Sequence, residues 1–273
     1  MFLERHSSRA LALAEAGLRD IIEGIQNWRI WHLMGSAELR RRYDRSRLGQ
    51  FWLTVSTGIL IGSLGLVWSV LWRKPVSEMM PYFAASVVIW TMITGALGDS
   101  TTAFSSRARY FLNERMSFAT AIDALLYRNV LIFMHNAVIV VLVFILFQRP
   151  IGFQALLAIP GFCLAVLTGV WLSYVVAILC TRYRDLAQVV TSLVQIGFLV
   201  TPVLWKADFV PEPYRELVTL NPFAVYLSII RDPLLGEPVP LEHWALAIAF
   251  TVGGFFLSLP FIGRYHRRLV YWL

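Results

Sequence analysis

The chain has only two lysines, Lys74 and Lys206, and neither follows a glycine. A loop that cradles nucleotide phosphates needs Gly-Lys followed by Ser or Thr. The chain itself is therefore not expected to hydrolyse ATP by that route. Its histidines, His6, His32, His135, His243 and His266, are scattered, and none stands at metal-ligand spacing. No Gly-x-Ser-x-Gly elbow offers a serine nucleophile, so no catalytic residue, metal or cofactor is expected in this chain. The two cysteines, Cys163 and Cys180, are separated by 17 residues, about 25 Å of helix, which is beyond disulfide reach. They read as small apolar fillers. Charge is scarce as well: 15% of 273 residues, against roughly 25% in a soluble domain.

The scarcity is uneven. Charge-free runs cover Leu48–Trp72 (25 residues), Met79–Gly98 (20), Asn129–Gln148 (20), Pro150–Thr181 (32), Leu186–Trp205 (20) and His243–Gly263 (21). Hydrocarbon cannot solvate backbone amides, so a crossing segment closes its own hydrogen bonds as a helix of about 20 apolar residues. With 58% apolar residues and a mean hydropathy of +0.63, the sequence predicts an all-α integral membrane protein with six transmembrane helices. A single transmembrane domain is expected over 1–273: a cytoplasmic or interfacial segment at 1–47, a six-span bundle at 48–263 and a tail at 264–273.

Basic residues favour the cytoplasmic side of a membrane. If the N-terminus is cytoplasmic, segments 1–47, 99–128, 182–185 and 264–273 hold 18 Lys and Arg, against 6 on the other side. Both termini are therefore expected in the cytoplasm. No signal peptide is expected, because charges recur throughout 1–47.

Before the first span, Leu18, Ile21, Ile22, Ile25 and Trp28 recur at helical spacing, with Arg19, Asp20, Glu23 and Gln26 opposite. This predicts an amphipathic helix over 18–34, lying on the inner leaflet or packed on other protein. Pro160 predicts a kink in the fourth span, and the 32-residue length of that run leaves room for tilt or a re-entrant start. Pro202 is expected to kink or end the fifth. The run Leu217–Ile230 is only 14 residues, too short to cross, and predicts a re-entrant or interfacial segment between "LNPF" and "RDPLLG". The second half of the 99–128 loop, from Ser117, reads as a helix leading into the third span.

Within the runs, ionisable groups are few. His135, beside Asn136, is a candidate intramembrane site or an interhelical hydrogen bond; Arg128, Gln188 and Gln195 complete the intramembrane polar set. Aromatics are plentiful. Some of Trp68, Trp72, Tyr82, Phe83, Trp90, Trp171, Tyr174 and Trp205 are expected to anchor the interfaces. Trp90 and Trp171 sit deeper, and Trp68, Tyr82, Trp90, Trp171 and Tyr174 are candidates to line a sugar-polymer path, since aromatic faces hold sugar C–H groups without fixing register. The densest feature is "RRRYDRSRLGQFW", with Arg40, Arg41, Arg42, Arg45 and Arg47 directly before the first span. A nucleic-acid patch is the poorest reading of a run that abuts a span. Arg-Tyr pairs recur at 42–43, 109–110, 182–183 and 264–265, each near an expected cytoplasmic edge.

Several stretches resemble a known family. "RSRLGQFWLTVS", "YRNVLIFMHN", "RYRDLAQVVTSLVQIGFLVTPVLW" and "LNPFAVYLSIIRDPLLG", in that order, are similar to motifs of ABC-2 type polysaccharide exporter permeases, most like the transmembrane subunit for lipopolysaccharide O-antigen. The loop "FLNERMSFATAI" departs from the family pattern in lacking a proline. The resemblance implies an ABC-2 exporter fold with an N-terminal interface helix and re-entrant helices between spans five and six. It also implies a homodimer in the bacterial inner membrane with two copies of a separate ABC ATPase, which would bind ATP and Mg. The expected cargo is polysaccharide linked to a polyprenyl-diphosphate lipid; capsular polysaccharide, teichoic acid or another hydrophobic cargo is the alternative. On this reading Arg40, Arg41, Arg42, Arg45 and Arg47 attract the lipid diphosphate, because the guanidinium fork suits phosphate oxygens. Tyr110, Asn113, Glu114, Arg115, Arg182 and Asp185 would meet the ATPase.

Overall fold

The computed structural model describes residues 2–43, 49, 51–114, 116–206, 210, 211, 214, 218 and 220–273. Among them the regular elements are all helical: α1 (Phe2–Gln26), α2 (Trp28–Tyr43), α3 (Phe51–Trp72), α4 (Val76–Ser100), α5 (Ala108–Glu114), α6 (Phe118–Leu146), α7 (Ala158–Arg182), α8 (Leu186–Val200), α9 (Pro222–Leu235) and α10 (Leu241–Leu269). Among the described residues, five helices are long and apolar enough to cross a membrane: α3, α4, α6, α7 with the 3₁₀ turn before it, and α10.

The fifth charge-free run behaves differently. It yields α8, a helix of 15 residues, about 22 Å long and short of a hydrocarbon core of about 30 Å. Pro202 accounts for the stop. The residue before a proline is driven out of the helical region, and Thr201 is extended at φ −86°, ψ 139°. Pro160, expected to kink α7, instead sits in the first turn, where a missing N–H costs nothing. The surplus length of that run becomes the 3₁₀ turn Phe153–Leu157.

The short segment after α8 is bounded by its own chemistry. Asn221 caps α9, its side-chain oxygen accepting from the Phe223 N–H at 3.0 Å, with Pro222 in the first turn. Gly236, at φ 77°, ends it in the left-handed conformation that a side chain would disfavour. The Trp90 ring lies 5.7 Å from both Phe198 and Phe223, so α9 begins halfway along α4. It finishes at the α3–α4 end, where Gly236 and Glu78 line one pocket.

α4 is the hub, with 78% of its apolar window buried; α3 has 17%, and α8 has no buried residue. α1 packs antiparallel on α10, so the described parts of both chain ends share one end of the bundle. That approach requires glycine. A Cβ on Gly17 would strike the Leu259 carbonyl, and one on Gly263 the Leu13 carbonyl. The amphipathic reading of α1 needs correction. The helix expected over 18–34 divides at Asn27 between α1 and α2; Leu18, Ile22 and Ile25 on α1 and Trp28 on α2 are exposed as expected, but Ile21 turns inward together with Asp20, assigned to the polar face and only 4% exposed.

Candidate functional site

At the end of the bundle near the termini, the Asp20 carboxylate reaches across to the start of α6. It accepts from the Ser117 hydroxyl at 2.9 Å, from the Ala119 N–H at 3.1 Å and from the Tyr174 hydroxyl. His266 Nδ1 stands 3.5 Å away. A carboxylate aimed at free N–H groups of a helix start satisfies donors that have no intrahelical partner and opposes the positive pole of the dipole. Asp20 thus ties α1 to α6 and α7. Tyr174 is fully buried in this tie, its ring also edge-on to Phe104 at 5.5 Å, so within one copy it has no face open to a polymer.

A second network joins α2, α4, α6 and the 3₁₀ turn Ser105–Arg107. Glu38 accepts from Arg107 Nη2 at 2.6 and 2.7 Å and from Arg128 Nη1 at 2.6 Å. Arg128 also pairs with Asp99, which accepts from Asn129 at 2.9 Å. Arg107 is 6% exposed, so its charge depends on Glu38. Arg128, read as an intramembrane polar residue, is a member of this balanced cluster. Sequence reasoning missed Glu38, Asp99 and Arg107; their pairing spans 69 positions from Glu38 to Arg107 and leaves no local pattern.

Of the arginine run, Arg40 and Arg41 are exposed on α2. Arg45, Arg47 and the Arg42 side chain lie outside the described residues, as does Arg115. The short α5 is pinned by Phe111, stacked 4.4 Å from Phe118, and leaves Tyr110, Leu112, Asn113 and Glu114 exposed. Arg182 and Asp185 are exposed at the α7–α8 corner of the same end. The Arg182 guanidinium faces three rings, Tyr183 at 4.9 Å, Trp272 at 5.1 Å and Tyr265 at 5.8 Å, and so holds the last turn of the chain.

At the opposite end, Tyr82 ties α4 to the chain beyond α8. Its hydroxyl points at the Pro202 and Trp205 carbonyls, 2.9 and 2.7 Å away, and accepts from Arg231 Nη1 at 2.9 Å. The Arg231 and Lys206 cations lie 4.5 and 5.5 Å from its ring centre. Trp68 packs on Trp72 at 4.8 Å. Trp90 is 6% exposed between α8 and α9, and Trp171 lies against Gly254. In a single copy these rings are packing elements first. His135 Nδ1 donates to the Leu131 carbonyl one turn back at 2.7 Å, while Asn136 is buried with Oδ1 unpartnered. Thr168, Tyr226 and Thr251 are mutually bonded and join α7, α9 and α10.

α8 is the exception to this packing. Gln188, Thr191 and Gln195 fall on one face, three and four residues apart, and all are exposed. The rest of its exposed surface is Val189, Leu193, Ile196, Leu199 and Val200. Amides and a hydroxyl in such a stripe are costly to set against lipid.

Residues 30–235, from α2 to the end of α9, match the model of the ABC-2 type transporter family. The chain belongs to the ABC-2 type transporter family. The match takes in the ion-pair network, α5 and the α8 stripe. The chain is also similar to curated proteins described as O-antigen export system permease protein RfbA. One from Klebsiella pneumoniae is 21% identical over 221 residues, covering 79% of this chain and 83% of its own. Another, from Myxococcus xanthus, is 23% identical over 211 residues, covering 75% and 81%. As an ABC-2 transporter subunit the chain is a membrane-embedded transport component, in agreement with its five apolar helices.

Proposed function

We propose that this ABC-2 chain is the permease half of an ATP-driven exporter, moving polysaccharide on a polyprenyl-diphosphate lipid, of O-antigen type, across the bacterial inner membrane. The relatives named for O-antigen export support the cargo class. The observation that carries the rest is α8, a short apolar helix with no buried residue and a polar stripe at Gln188, Thr191 and Gln195. Such a face needs a second copy and water against it. On this reading α8 and the turn after it make the fifth crossing, and α9 dips from the outer side and returns. Both termini are then cytoplasmic. The polymer runs between two copies along α3 and α8, with Trp68 near its outer mouth and Tyr82 and Trp90 backing the helices that line it.

The exposed face of α5, with Tyr110, Asn113 and Glu114, and the corner at Arg182 and Asp185 are the proposed docking surface for an ABC ATPase, which supplies ATP and Mg; the undescribed Arg115 is assigned with them. Arg40, Arg41, Arg42, Arg45 and Arg47 attract the lipid diphosphate to the inner surface. The test is reconstitution of the chain with its ATPase in nanodiscs. Lipid-linked glycan is expected to stimulate ATP hydrolysis, and cells lacking the chain are expected to lose surface polymer. Unchanged hydrolysis together with normal surface polymer refutes the reading. Stimulation by a teichoic or capsular lipid instead reassigns the cargo.

A further inference from the structure

Beside the Glu38 network lies a cavity of about 490 Å³ at the end of the bundle that carries the termini. Met34, Glu38 and Arg41, at helical spacing, present one face of α2 to it. The other walls are Asp99, Thr102, Ser106 and Arg107 after α4, Arg109 and Tyr110 of α5, and Arg128 of α6. Two carboxylates face four guanidinium groups. The carboxylates are already spent on Arg107 and Arg128. Arg41 and Arg109 are in surplus, with no further acid among the lining residues, and Arg128 Nε is buried without a hydrogen-bond partner. A purely structural cluster would stop at balance, because like charges gathered in one cavity repel.

We propose that this cavity seats a diphosphate group held as a diester, the form in which a lipid diphosphate carries a sugar. The formal surplus of two positive charges matches the two negative charges of a diphosphate diester, and a phosphodiester headgroup would leave one unanswered. Guanidinium forks and the Thr102 and Ser106 hydroxyls supply donors for its oxygens. The volume lies in the range of small-ligand sites. Arg41 and Tyr110, given separate tasks in the sequence reading, share this cavity, and α5 forms one of its walls. The seated group therefore bears on the same helix whose outer face is proposed to meet the ATPase, so headgroup occupancy reaches the ATPase through Arg109 and Tyr110. The proposal deepens the export reading and rests on it for the lipid source of the ligand.

The test is calorimetric titration of the full chain in neutral phosphatidylcholine nanodiscs, without ATPase, using citronellyl-diphospho-N-acetylglucosamine as the probe. Arg41→Gln and Arg109→Gln are each expected to weaken binding about tenfold or more, the range of one charge-assisted hydrogen bond. Arg29→Gln, exposed on the same helix and outside the cavity, is expected to leave it within about twofold. Equal losses at all three positions, or none at Arg41 and Arg109, overturn the seat and leave only diffuse attraction. Inorganic diphosphate binding as tightly as the lipid probe overturns the lipid source, and equal displacement of the probe by phosphatidylglycerol overturns the preference for diphosphate. Because binding is read on the permease alone, binding with no export in cells removes the export reading and keeps the seat. Wild-type surface polymer from Arg41→Gln and Arg109→Gln chains removes the seat and keeps the export reading.

Discussion

Replacing Asp20 by alanine tests whether α1 is part of the bundle or merely lies against it. The carboxylate is 4% exposed and answers three donors, the Ser117 hydroxyl, the Ala119 N–H and the Tyr174 hydroxyl. Alanine leaves all three facing a void. A buried donor without a partner costs about 1–3 kcal/mol, and the three are coupled, so the loss is about 3 kcal/mol rather than their full sum. For a chain of this size that lowers Tm by about 6–10 °C. The assay is fluorescence-detected size exclusion after heating in detergent, with Glu23→Ala on the exposed face of the same helix as reference. Asp20→Asn keeps an acceptor and is expected to fall between the two. A Tm for Asp20→Ala within about 2 °C of Glu23→Ala refutes the tie, since less than about 1 kcal/mol would then have been lost.

Glu38→Ala strands the 6%-exposed Arg107 charge and is expected to cost about 3 kcal/mol in the same assay, with Glu15→Ala, whose pair with Arg19 is exposed, near zero. Tyr82→Phe removes only the hydroxyl that meets Pro202, Trp205 and Arg231; a loss of about 1–2 kcal/mol, or about 4 °C, is expected because Arg231 keeps the Pro202 carbonyl at 2.8 Å. In a chain with Cys163 and Cys180 replaced, Gln195→Cys is expected to cross-link between copies in oxidised membranes; Val141→Cys, on the exposed face of α6, is expected to stay monomeric on the same gel.

Most of the fold could be read in advance because charge is excluded from hydrocarbon. Five of the six charge-free runs match a helix long enough to cross, and Pro202 located the stop of α8, whereas α9 runs Pro222–Leu235 where Leu217–Ile230 was expected. What failed were inferences about facing. The period of α1 separates apolar from polar positions, but it cannot reveal that one carboxylate is wanted by donors 97 to 154 positions away. Pro160 was read from composition as a kink, although its effect depends on where the helix begins. The sites divide the same way. Exposed arginines and aromatics stand out in sequence, whereas Glu38, Arg107 and Asp99 owe their roles to partners on other helices. Tyr82 was singled out for its ring, and its hydroxyl and two neighbouring cations add a tie that the sequence does not reveal.

The same contrast indicates where the bundle yields. α1, α4, α6, α7, α9 and α10 are bound by the Asp20 tie, the Glu38 network and the Thr168–Tyr226–Thr251 contact, each costly to break with lipid around it. α8 has no buried residue; Phe198 packs on Trp90, and the side-chain hydrogen bonds that hold this stretch lie beyond its end, through Thr201, Pro202 and Trp205. Elements with few buried contacts open at the lowest free energy. On the export reading, transport of a polymer requires a path that opens and closes, and displacing α8 breaks few contacts. Hydrogen exchange in nanodiscs is expected to show α8 amides exchanging at least about tenfold faster than those of α4, a difference of about 1.4 kcal/mol in opening. Equal protection in the isolated chain would mean that lipid alone secures α8. The moving part would then have to be sought in α3, whose outer face is equally bare, or in rotation of whole copies about their interface.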